Sequence, residues 1–278
     1  MIARLNSPFL PETETAAPAI RLDHVTKYFF KQGARIAAVE DVTLDIAEGS
    51  FVTLVGPSGC GKSTLFNCIA GFIVPDSGAV VYRGATIDRP NIGIGYMTQK
   101  DSLLPWRSVL ANVMLPLYLQ KMPAEAARQR ALEVIGRVGL AGFAEHFPAE
   151  LSGGMQKRAA LARMLAYNPT TLLMDEPFGN VDVQLKLQLQ RELMTLWERE
   201  RKTVVFVTHD LEEAIALSDR IVVLSRRPDR IKTVIAVDLP RPRDPIAIRF
   251  EPAFQKFHRE LWTLCDTSEE TDGDLDHH

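Results

Sequence analysis

The chain of 278 residues predicts an α/β fold with a mostly parallel sheet, an antiparallel β region towards its N-terminus and an inserted α-helical region. Three observations carry that prediction. Short, continuous apolar runs at 51–55, 171–174 and 203–207 suit strands buried on both faces of a parallel sheet. Between the first two runs lies a long stretch, about 100–166, with apolar residues at helical spacing. The first run also leads straight into Gly56-Pro57-Ser58-Gly59-Cys60-Gly61-Lys62-Ser63-Thr64, a match to G-x-x-x-x-G-K-[ST] between a strand and a helix.

That motif is a nucleotide phosphate loop and makes the core a P-loop NTPase core. Its glycines let successive backbone N–H groups turn inward, so amides and the N-terminus of the next helix face the phosphates. Lys62 is placed to reach the β- and γ-phosphates as a point charge, and Ser63 to offer a hydroxyl to Mg²⁺. A glycine-rich turn that binds nothing is the competing reading, and the strand and helix on either side count against it.

Composition bounds the rest. A net charge of -3 argues against nonspecific nucleic-acid binding. The three cysteines, Cys60, Cys68 and Cys265, form no C-x-x-C pair and fit a reduced, cytosolic protein without disulfides or a zinc site. No apolar run approaches the roughly 18 to 20 residues needed to cross a bilayer.

In chain order, residues 1–19 are rich in Pro, Thr, Glu and Ala and read as a loose tail without a secretory signal. Strand character begins at Ile20, and Tyr28, Phe29 and Phe30 put three aromatics in a row, either core or a platform for a base. Residues 42–46 alternate apolar and polar, and Glu48-Gly49 turns into the phosphate-loop strand. The helix from Lys62 buries Leu65, Phe66 and Ile69 and meets a C-cap at Gly71. Strands at 79–82 and 92–97 follow, the second delivering Gln99.

Leu103-Leu104-Pro105-Trp106 is an apolar cluster in a loop, either a docking surface or a buried satellite core. Pro123 opens a helix with Ala127, Ala131, Val134, Ile135 and Val138 on one face, ending near Gly139. Leu151 to Gln156 then leads into a helix at 157–166, with Ser152 as cap; alone, Ser152-Gly153-Gly154 is a weak phosphate signal. The run from Thr171 ends in Asp175-Glu176, placed to hold the Mg²⁺ shell and to act as base on a water, or else a pair of solvated turn acids. After a helix at 183–201, the run from Thr203 ends at His209-Asp210, where a strand's end favours the site over a structural histidine. A short helix at 211–217 and the last clear strand at 221–224 precede a Pro- and Arg-rich segment. Phe254, Phe257, Leu261 and Leu264 then mark an amphipathic helix expected to dock on the core.

Together the phosphate loop, Gln99, Leu151 to Gln156, Asp175-Glu176, Asp182 and His209 stand in the order found in the ATP-binding cassette (ABC) family, which the chain resembles over roughly residues 20–245. The resemblance implies an ATPase domain at 20–245 with a helical subdomain at about 100–166, a C-terminal helix at 246–266 and an acidic tail at 267–278. It implies two cassettes facing head to tail, so that Ser152-Gly153-Gly154 and Gln156 of one cover the γ-phosphate held by the other's phosphate loop. Gln99 would join Ser63 and Asp175 at Mg²⁺ and couple the attacking water to the helical region. Glu176 would be the base, His209 would hold the γ-phosphate, Asp182 would sit at the dimer seam, and Phe29 best matches the residue stacked on adenine.

Within the family, Gln99, Leu103 to Trp106, Thr208 to Ala214 and Arg227-Pro228 are similar to nitrate, sulfonate, taurine and bicarbonate importers, and thiamine-precursor importers share much of this pattern. Such a chain works with ATP and Mg²⁺ beside a membrane permease and a soluble binding protein, peripheral on the cytoplasmic side of the inner membrane. Two departures stand out: Gly179-Asn180-Val181 where relatives commonly have Ala-Leu before the aspartate, and Met155 in place of a frequent glutamine. A soluble cassette ATPase acting on DNA or ribosomes is the rival, opposed by the single phosphate loop and the lack of a sustained heptad run. A small GTPase is opposed by the absence of an N-K-x-D stretch.

Overall fold

The fold is described from a computed structural model covering residues 17–31, 33–57, 61–99, 103–179, 181–225 and 230–265. Ser58, Gly59 and Cys60 of the phosphate loop, most of the 1–19 tail and the 267–278 acidic segment lie outside the described residues.

Two sheets organise the chain. The N-terminal one is antiparallel and four-stranded, in the order β2-β1-β4-β5: β1 (Ile20–Lys31), β2 (Ala34–Ile46), β4 (Ser77–Tyr82) and the two-residue β5 (Ala85–Thr86). The other has six strands in the order β10-β9-β3-β8-β7-β6, comprising β3 (Phe51–Val55), β6 (Ile94–Met97), β7 (Thr171–Asp175), β8 (Thr203–Val207), β9 (Arg220–Leu224) and β10 (Ile231–Ala236). Its pairs are parallel except β9 with β10.

The central strands read as unbroken apolar runs because both faces are covered. Val52, Leu54, Leu173, Val205 and Val207 pack towards β1, β2, β4 and helix α1 (Lys62–Ala70). Leu172, Met174, Val204 and Phe206 point the other way, into the helices. Those helices are α2 (Val109–Leu119), α3 (Ala124–Arg137), α4 (Gly153–Ala166), α5 (Val183–Glu200), α6 (Leu211–Leu217) and α7 (Pro252–Cys265). Gly71 ends α1 at φ 79, and a Cβ there would overlap the Arg89 backbone, so the cap admits only glycine.

Several boundaries differ from expectation. The helix expected at 157–166 begins at Gly153, because the Ser152 hydroxyl accepts from the Met155 N–H and caps it four residues earlier. The strand expected from Ile92 starts at Ile94; Ile92 itself is exposed. The strand at 221–224 is not the last, since β10 adds an antiparallel edge with alternate residues half-buried. The C-terminal helix occupies Pro252–Cys265 rather than all of 246–266, after a short 3₁₀ turn at Ala247–Phe250. It docks on the core through Phe254 and Leu261, as its spacing predicts.

Strand order is what builds a site. β3, β8, β7 and β6 are neighbours and parallel, so their carboxyl ends emerge along one edge, where open α/β sheets bind ligands. Leu54 pairs with Val207, Val207 with Asp175, and Met174 with Met97. This register brings the phosphate loop, the two carboxylates, His209 and Gln99 to one rim.

Candidate functional site

At the centre of that rim, Ser63 in the first turn of α1 donates its hydroxyl to Asp175 Oδ2 at 2.8 Å. Burial pushes the Asp175 carboxyl above its usual 3.8, against the Ser63 hydrogen bond, and neighbouring Glu176 adds to the rise; Lys62 and Lys157 act in the opposite direction. A hydroxyl beside a carboxylate is a hard-oxygen pair of the type Mg²⁺ prefers, so the donor set fits that ion. Lys62 is almost fully buried, and its Nζ donates to the Gly56 and Pro57 carbonyls at 2.9 and 2.7 Å. The ammonium thus stays within the loop it serves.

A second group lies beside this one. Gln99 Nε2 donates to Glu176 Oε2 at 2.9 Å, and His209 Nδ1 lies 3.6 Å from Glu176 Oε1. The imidazole is 67% exposed while the Glu176 side chain is 19% exposed, so the acid is sheltered and the ring faces outward. Glu176 has φ 47, a left-handed conformation uncommon for this residue type. Its N–H donates to Val207 O and its C=O accepts from Gly179 N–H, which hold the turn closed. Strain kept by such bonds at a strand end is a feature of functional sites.

Beneath His209 the turn is anchored by a buried polar network. Thr208 Oγ1 donates to Glu213 Oε2 at 2.5 Å, and Gln190 Nε2 to Glu213 Oε1 at 3.1 Å. Lys186 Nζ reaches Asp210 Oδ2 at 2.7 Å and Glu213 Oε1 at 2.6 Å. Asp210 caps α6 by accepting from the Glu212 and Glu213 N–H groups. Burial opposes the charges of both Asp210 and Lys186, yet their pairing outweighs it, holding Asp210 below and Lys186 above their ordinary ranges. α5 is therefore tied to the histidine turn by charge as well as by packing.

Not every expected residue joins this rim. Ser152 and Gly153 stand exposed at the N-terminus of α4, with no hydrogen bond to the strand-end residues among the described residues. Gly154 packs so closely on Leu185 and Val181 that a Cβ there would overlap the Leu185 side chain. Gln156 turns inward and donates to the Pro148 and Leu151 carbonyls, so it holds the loop rather than facing outward. Asp182 caps α5 by accepting from the Leu185 N–H at 2.9 Å. Phe29 is half-exposed on β1, while the Tyr28 ring is covered by the Arg35 guanidinium 3.6 Å from its centroid. Of the three aromatics, Tyr28 has a face already occupied.

Four residues to which the motifs assign no role also serve the site. Lys157, only 6% exposed, donates to the Gln99 carbonyl at 2.6 Å and so joins α4 to the end of β6. Lys186 and Glu213 form the network just described. Asn112, fully buried in α2, binds Leu104 through both its amide and its carbonyl, and also the Arg107 and Ser108 carbonyls. It fixes the Leu103 to Trp106 loop with Leu103 buried and Trp106 71% exposed. The sequence signal was a lone polar residue in an apolar stretch; the region reads as helical, but α2 is apolar on almost every face, so no period marks its own bounds.

A phosphate loop on a parallel sheet with two carboxylates on the adjoining rim defines a P-loop nucleoside-triphosphatase. Residues 39–179 match the family model described as ABC transporter. The chain is 45% identical to an uncharacterized ABC transporter ATP-binding protein of Methanocaldococcus jannaschii over 83% of its own length and 86% of that protein's. It is 40% identical to the taurine import ATP-binding protein of Rhizobium johnstonii over 90% and 98%. The dimeric structure of a bacterial ABC transporter cassette superposes with a TM-score of 0.74 at 35% identity, covering 80% of this chain and all of that one. A post-hydrolysis state of the same cassette, bound to ADP and Pi, superposes with a TM-score of 0.73. The chain belongs to the ABC transporter family and is an ATPase.

Proposed function

We propose that this chain is the ATP-hydrolysing subunit of an importer for a small anionic solute of the nitrate, sulfonate, taurine or bicarbonate kind, acting on a separate membrane permease. The observation that carries the reading is the convergence of Ser63-Asp175 and Gln99-Glu176-His209 at neighbouring parallel strand ends. ATP would lie on the phosphate loop with Lys62 at its phosphates and Phe29 against its base. Mg²⁺ held by Ser63 and Asp175, with Gln99 beside it, would neutralise charge developing on the phosphoryl oxygens. Glu176, sheltered and held by Gln99, is placed to orient and deprotonate an attacking water, and His209 to hold the γ-phosphate.

The exposed Ser152-Gly153 face needs a partner, and a second cassette packed head to tail supplies one, with Asp182 at the seam. The taurine import relative supports the importer reading. So does a groove of about 180 Å³ beside Gln99, lined by Thr98, Leu115, Pro116 and Leu119, with Leu119 78% exposed nearby. Trp106 and this groove would seat a permease helix, while a soluble binding protein would deliver the solute to the permease. No helix among the described residues is long and apolar enough to cross a membrane, which suits a subunit peripheral on the cytoplasmic side.

The test is affinity purification of the Glu176→Gln chain from detergent-solubilised native membranes in MgATP. The expected co-purifying protein is a multi-spanning permease, lost on adding Trp106→Ala while the soluble ATPase activity of the Trp106→Ala single variant persists. Recovery of ribosomal or DNA-bound proteins alone overturns the transport reading and leaves the ATPase standing.

A further inference from the structure

Helices α4 and α5 touch at their N-termini, where Gly154 meets Leu185, and part towards their C-termini. Residues of α3 line the third side of the opening, leaving a half-open cleft of about 370 Å³. It lies among the later turns of these helices, whereas the strand-end residues named above do not line it. Val134 from α3 and Val138 just past its end, Leu161 and Leu165 from α4, and Leu193 and Leu196 from α5 supply its apolar walls. That volume falls within the roughly 300 to 1,000 Å³ typical of small-molecule sites, and an apolar wall with few polar groups is their usual lining.

The charges around it are unevenly engaged. Arg137 and Lys202 are within ion-pair distance of Glu200, Arg191 of Asp244 and Arg130 of Glu133. Arg199 has neither hydrogen bond nor ion pair among the described residues, yet it lines the cavity. Two turns earlier on the same face of α5, roughly 10 Å along the axis, Glu192 lines it too, with Oε2 buried and unpartnered. An anionic head is therefore drawn to the Arg199 end and repelled from the Glu192 end.

We propose that this cleft binds an amphipathic organic anion, its apolar body between the leucines of α4 and α5 and its head on Arg199. An occupant would set the opening between two helices whose N-termini carry Ser152-Gly153-Gly154 and Asp182, and so the relative placement of those two loops. The proposal does not rest on the importer reading, and its readout is binding, not turnover.

The probe is 1-octanesulfonate below its micelle-forming concentration, titrated calorimetrically into the full chain, with methanesulfonate as a head-only control. One octanesulfonate per chain and no measurable methanesulfonate is the expected result. Arg199→Glu, on an exposed position, is expected to weaken binding about tenfold or more, and Leu196→Trp, which fills the cleft, to do the same. Trp106→Ala, on the other apolar surface, is expected to leave it unchanged. Absent binding, binding that survives Arg199→Glu, or binding lost in Trp106→Ala overturns the proposal; should Leu196→Trp misfold, Arg199→Glu decides alone. Arg199-dependent sedimentation with phosphatidylglycerol vesicles would make the natural ligand a lipid, and its absence beside intact octanesulfonate binding a free solute.

Discussion

The strand-end rim and the N-terminus of α4 both carry phosphate-site motifs, yet the chain treats them differently. Among the described residues of the rim, Ser63 is paired with Asp175, Gln99 with Glu176 and Lys62 with its own loop, and His209 stands on a turn braced by Glu213 and Lys186. At α4, Ser152 caps its own helix while Gly153 presents its backbone to solvent. Preorganised donors are costly to leave unmade in a buried site and cost little at an exposed helix start. The contrast teaches that one end of the molecule is assembled by folding and the other is left open, as a site completed by the proposed dimer would be.

The hardest blow to the assembled end is Glu176→Gln. Turnover should fall by about 10²- to 10⁴-fold while ATP affinity holds; steady-state hydrolysis beside equilibrium nucleotide binding checks it, and unchanged turnover removes Glu176 as the base. The waiting end is tested by Ser152→Arg, expected to lower turnover about a hundredfold without weakening nucleotide binding to the single chain. Mixed in equal amounts with Lys62→Ala, it should restore about a quarter of the wild-type sites, since half the dimers are then mixed and each holds one intact pair. If the mixture stays inactive, the two-chain site falls.

A smaller effect separates anchoring from chemistry. Lys186→Met should lower kcat about threefold to tenfold with KM for ATP little changed, because it loosens the Asp210-Glu213 support beneath His209 without touching the phosphate loop. Rescue by Lys186→Arg marks the role as positional, and a rise in KM beside the fall in kcat, unrescued by arginine, would make it a general loosening of the fold. The smallest effect is on stability. Burial raises Asp175 above 3.8, so the unfolded chain ionises first and the cost of the buried charge grows as pH rises through that window, reaching its full size at neutral pH. Asp175→Asn should therefore raise Tm by about 2 °C at neutral pH without nucleotide, with the gain shrinking as pH falls towards about 4. A calorimetric Tm that fails to rise at neutral pH contradicts the sign.

Much of this was legible in the residues. The phosphate loop, Asp175-Glu176 and His209 announce themselves because each follows a short apolar run, and that arrangement is local in sequence. α7 was legible from four residues at helical spacing, and the cap at Gly71 from a single glycine. What stayed hidden had no local pattern. Lys157 and Lys186 look like ordinary polar helix residues until folding brings each against a carbonyl or carboxylate 58 or 24 positions away. Gln156, grouped with the phosphate contacts by its place in a motif, proves to hold its own loop.

By itself, then, the sequence determined where the phosphate-loop and strand-end motifs fall and on which kinds of element they sit, because backbone conformation and period-two or helical burial are written within a few residues. Tertiary structure alone decided that Gln99, Glu176 and His209 meet, that Trp106 faces outward over a braced loop, and that α4 and α5 part around a cleft. Those outcomes depend on strand order and helix packing between segments far apart in the chain, where contact is set by which apolar surfaces cover one another rather than by any neighbouring residue.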